Sequence, residues 1–107
     1  MPESAGALTE AVFYILLSLY EPMHGYGIMQ NVKDLSRGRV SLGAGTLYGA
    51  MSTLVERGWI APCAGPQDER KKAYVITPLG RSAVETEIDR LQELIDNGRQ
   101  IAGGNQI

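Results

Sequence analysis

Apolar residues recur at three- and four-residue spacing in four stretches of the chain, and between the third and fourth they give way to two short runs around a turn. The first stretch, "EAVFYILLSLY", is apolar on two sides: Val12, Ile15, Leu16 and Leu19 on one, Phe13, Leu17 and Tyr20 on another. Thr9 can cap this helix and Pro22 ends it. A helix apolar all round is normally buried all round, so its second face asks for a surface beyond its own core. Ile28, Met29, Val32 and Leu35 form the core stripe of a second helix, entered through a flexible "HGYG" and stopped near Ser36 and Gly38. In the third, Leu47, Ala50, Met51 and Leu54 face inward, leaving Thr46, Tyr48, Gly49, Ser52 and Thr53 off the stripe. Gly58 sits where a left-handed C-terminal residue is expected, and "WIAPCA" and "KKAYVI" flank a Gly-Pro turn as two strands. Pro62 suits an edge strand. Thr77 and Pro78 open a last helix whose Val84, Ile88, Leu91 and Ile95 follow heptad spacing and make a second candidate partner surface. Gly98 and the "GGNQI" tail mark fraying.

Composition narrows this pattern to one domain, since the chain has 107 residues, 44% apolar and 21% charged. A core of this size is modest, and pairing with a second copy is a common route to added stability. The longest apolar run, Ala11 to Leu17, falls far short of the roughly 20 residues that span a bilayer, and no basic leader precedes it. It reads as a buried helix, with no membrane partner expected. A single cysteine, Cys63, rules out an internal disulfide and a multi-cysteine zinc site, and fits a reducing, cytoplasmic setting. Only distant basic residues could lower its thiol pKa, so redox sensing is a minor reading. His24 is the only histidine, and no nucleophile or carboxylate stands at a catalytic spacing from it. A loop or capping role is expected for it, with no metal, no cofactor and no enzyme activity.

Net charge is −2, but it is unevenly placed. Met1 to Met23 carries −3 and Pro78 to Ile107 carries −2, whereas His24 to Thr77 carries +3. The basic character sits in the centre, on Lys33, Arg37, Arg39, Arg57, Arg70, Lys71 and Lys72.

Three helices, a two-stranded hairpin and a final helix match a winged helix-turn-helix: mainly α with a small β-hairpin, an N-terminal helix and a C-terminal dimerisation helix. "HGYGIMQ", "GTLYGAMSTLVERGWI" and "RKKAYVITPLG", in this order, resemble the signatures of the PadR family of bacterial transcriptional regulators. The lone C-terminal helix resembles that family's short subfamily. The resemblance implies a winged DNA-binding domain over residues 1–77, a dimerisation helix over 78–101 and a frayed tail over 102–107. It also implies a homodimer on a palindromic operator in double-stranded DNA, with repression relieved by a small-molecule effector or a stress signal. Ala44 departs from the proline frequent in relatives, Ala73 from an aromatic and Val75 from a basic residue. The segment between the second and third helices is also longer than the turn of a strict helix-turn-helix.

The residues expected at DNA are Gly43, Ala44, Gly45, Thr46, Tyr48 and Ser52 on the third helix, with Arg70, Lys71 and Lys72 on the wing. A helix start offers free N–H groups and a positive dipole end to phosphate, and small side chains let a duplex approach. Alternatively, Gly43 is a tolerated cap, Gly45 a packing accommodation and Tyr48 a half-buried core aromatic. The wing cations grip a backbone, or simply form a solvated face beside Asp68 and Glu69. Lys33, Arg37 and Arg39 flank the site or keep a loop soluble. Tyr26 is expected to pack at a helix start, and Trp59 to plug the core beneath the wing. The dimer residues are Phe13, Leu17, Val84, Ile88, Leu91 and Ile95. Ile88 and Leu91 with Phe13 or Tyr14 could also line an apolar effector pocket. The rival class is a winged-helix module that binds another protein and no DNA.

Overall fold

The computed structural model describes residues 6–64 and 72–103. Thr9 opens α1 (Glu10–Ser18) by accepting the Val12 N–H at 3.1 Å. A short strand, β1 (Met23–His24), leads straight into α2 (Gly25–Leu35). Then come α3 (Ala44–Glu56), β2 (Ile60–Cys63), β3 (Ala73–Ile76) and α4 (Pro78–Gly98). Ile15, Leu16, Leu19, Ile28, Val32, Leu47, Met51, Leu54, Ile60, Ile76 and Val84 form the core, drawn from every helix and from both longer strands.

The strands pair antiparallel in the order β1-β3-β2, with Met23 opposite Tyr74 and Ile60 opposite Ile76. This adds a third strand to the expected hairpin. Two residues of strand carry no alternating pattern, so β1 was invisible in the sequence and lay within what reads as a loose entry to α2. Pro62 does lie on an edge strand. Gly58 takes φ +78, and its N–H closes the end of α3 on the Val55 carbonyl at 2.9 Å.

Between α2 and α3 the chain turns through Arg37 (φ +56) and Gly38 (φ +82). The buried Ser36 hydroxyl, accepting the Val40 N–H at 2.9 Å, holds this longer link together. Leu35 is 43% exposed, so it leaves the expected core stripe: it is the last residue of α2, where the chain turns away.

Thr77 caps α4 by accepting the Gly80 N–H at 3.0 Å, and donates its own hydroxyl to the Gly58 carbonyl at 2.6 Å. A Cβ on Gly80 would run into the Trp59 carbonyl oxygen and come within 2.7 Å of Ile76 Cγ1. The sequence "ITPLG" is thus a junction that seats α4 on the sheet and on the end of α3. Val84, expected at a partner surface, is 1% exposed inside the chain's own core, one helical turn beyond this junction. Gly98 does not stop the helix, which widens into a π turn over Arg99–Gly103. The rest of the expected tail, 104–107, lies outside the described residues.

Candidate nucleic-acid interface

Leu47, Met51 and Leu54 are buried, and this fixes the rotation of α3 about its axis. The opposite side then carries Gly45, Gly49 and Ser52, all exposed, with Gly43, Ala44, Thr46 and Tyr48 exposed around the first turns. A Cβ added at Gly43, Gly45 or Gly49 would meet nothing within 4 Å. No packing inside the chain asks for glycine at these positions, so Gly45 is not a packing accommodation. Tyr48 is 47% exposed and does not belong to the core.

Gly43 is the N-cap of α3, at φ −80 and ψ 166, and makes no side-chain cap bond. The first N–H groups of α3 are therefore left without the hydroxyl acceptor that Thr9 and Thr77 give to α1 and α4. α3 contains no lysine or arginine, and its positive end is the helix start itself. Arg39, on the link that precedes α3, is tied to Glu10 at 2.6 Å across exposed surface, and Arg57, the C-cap at the far end of α3, holds its guanidinium 5.0 Å from the centre of the Trp59 ring. Lys72 stands exposed where β3 begins. Arg70 and Lys71, with the rest of the turn between β2 and β3, lie outside the described residues.

Tyr26 is 75% exposed on the first turn of α2, not packed as expected. His24 occupies the N-cap of α2, its side chain makes no cap bond, and its Nδ1 is buried without a hydrogen-bond partner. Among the described residues no group of three or more His, Cys, Asp or Glu is placed to hold a metal ion, and no helix is long and apolar enough to cross a membrane.

The matching family model is that of the PadR-like transcriptional regulators, over residues 13–86. The chain belongs to the PadR-like family. Its members are DNA-binding regulators of winged-helix fold, and the solved structures similar to this chain agree with that architecture. A transcriptional regulator from Clostridium thermocellum is 21% identical with a TM-score of 0.69, covering 86% of this chain and 91% of that one. A PadR family transcriptional regulator from Eggerthella lenta is 23% identical with a TM-score of 0.69, covering 88% and 79%. A PadR family transcription regulator from Clostridium difficile is 18% identical with a TM-score of 0.68, covering 88% and 98%. No curated protein matches the sequence.

A groove of about 1160 Å³ opens in this PadR-like chain between residues 6–9, the second half of α3, Trp59 and α4. Ile88, Leu91, Phe13 and Tyr14, the expected pocket residues, do not line it; Trp59 and Arg57 do. Trp59 is therefore half-buried at the core's edge, not a plug within it. Glu87, 4% exposed, closes one end, where Arg90 grips it through Nε at 2.9 Å and Nη2 at 2.6 Å. Those bonds, with help from the Leu8 N–H, hold the Glu87 carboxyl below its ordinary 4.5 against the opposing effect of burial.

Proposed function

We propose that this chain is a homodimeric repressor that reads a palindromic operator with α3, grips flanking phosphate with the wing, and is released by a ligand or stress signal. The observation carrying the proposal is the outer side of α3. Three glycines with empty space where a Cβ would stand, a helix start without a side-chain cap and the exposed Thr46, Tyr48 and Ser52 form a shallow face that a duplex can approach closely. The dimer reading is supported by apolar residues left uncovered on α4: Ile88 at 47%, Leu94 at 53% and Ile95 at 47% exposure. Leu91 on α4, and Phe13 and Leu17 on α1, are half-buried.

The test is binding of labelled duplex fragments from the neighbouring promoters across a salt series. A repressor that neutralises several phosphates loses on the order of a thousandfold in affinity between about 50 and about 200 mM salt. Replacing Lys71 and Lys72 by alanine should weaken all sequences alike and flatten that dependence. Binding that is absent or insensitive to salt would overturn the proposal in favour of a protein-association module. Leu91→Glu should yield monomers in sedimentation, and a dimer that survives it would place the interface elsewhere.

A further inference from the structure

Gly25 is buried at the first position of α2, and the ring of Tyr48 from α3 lies across it. A Cβ on Gly25 would fall on the Tyr48 hydroxyl, 2.6 Å from Cζ and 3.1 Å from Cε1. The two residues belong to separate motifs, "HGYG" and "GTLY", which the fold brings together at the angle between the two helices. Tyr48 is nearly half exposed, and the hydroxyl end of its ring lies against this glycine.

We propose that Gly25 is a positioning residue for DNA binding: its missing side chain is the seat that fixes the Tyr48 phenol beside the start of α2. The inference rests on the DNA-binding function proposed above and adds the residue that aims one of its contacts. The crowded atoms at Gly25 are the far end of a side chain with solvent on one side, whereas those at Gly80 include a backbone carbonyl. A methyl on Gly25 therefore turns the phenol out of its seat while α2, which tolerates alanine better than glycine, stays folded.

The experiment compares wild type, Gly25→Ala, Tyr48→Ala and the double variant by duplex affinity, thermal unfolding and, without DNA, NMR contacts between the Tyr48 ring and the Gly25 α-protons. Gly25→Ala should bind about tenfold more weakly, as expected for one misplaced hydrogen bond to a charged group. The double variant should bind no more weakly than Tyr48→Ala alone, because without the ring the methyl has room. Thermal midpoints of the two Gly25 variants should stay at or above those of their parents, which separates aiming from folding. Wild-type affinity in Gly25→Ala, or additive losses in the double variant, would overturn the inference. If wild type binds no duplex, the DNA reading fails by itself. The ring contacts in the DNA-free protein then decide the seat, and their absence in wild type would refute it.

Discussion

At the start of α4, Thr77 caps the helix with its hydroxyl, and Gly80 presses so close to the Trp59 carbonyl that any side chain would collide with it. At the start of α3, Gly43 caps with backbone alone, and Gly43, Gly45 and Gly49 have nothing within 4 Å of the place a Cβ would take. The same residue type thus serves two different ends. Gly80 satisfies the chain itself, because α4 could not otherwise reach the sheet. An interior glycine such as Gly49 lowers helix stability by about 1 kcal/mol with no packing inside the fold that asks for it, and under the function proposed above it is clearance for DNA.

The contrast can be broken first at Gly80. Gly80→Ala forces a methyl against backbone that cannot swing aside, and should destabilise by about 3 kcal/mol, lowering the thermal midpoint by roughly 10–20 °C. A variant that melts like wild type would mean the junction is looser than described. Thr77→Ala comes next: it removes the cap on Gly80 and the bond to Gly58, for a loss of about 1–2 kcal/mol in denaturant titrations that Thr77→Ser largely avoids.

A smaller, pH-dependent effect belongs to Glu87 on the same closed side. Its carboxyl titrates below the ordinary 4.5 in the folded chain, so its contribution is fully present above that value and is lost as pH falls through the lowered folded pKa. Wild type should therefore lose an advantage over Glu87→Gln on acidification below about 4.5, seen as converging midpoints in thermal melts at stepped pH. Midpoints that keep their separation throughout would place the stabilisation elsewhere.

Much of the closed side was legible because its signals are local. The Thr77-Pro78 pair marks a helix start, Thr9 another, and the periodic Leu47, Met51 and Leu54 fix which side of α3 is hidden. The close contacts were not. Gly80 against Trp59, and Gly25 beneath Tyr48, join residues far apart along the chain, and a glycine written in a sequence does not say whether its neighbour is a carbonyl, a ring or water. Val84 shows the same limit, since heptad spacing puts it in line with Ile88, Leu91 and Ile95 without telling which of them the chain's own core takes. On α3, spacing placed the exposed residues correctly, and the structure added that the space around its glycines is empty.

Gly49→Ala, with thermal unfolding and duplex affinity measured on the same preparation, tests the central claim most directly. The expected result is a gain of about 1 kcal/mol in stability together with weaker DNA binding. The same gain with unchanged affinity would contradict it, because Gly49 would then be tolerated on the surface of α3 and not kept clear for DNA.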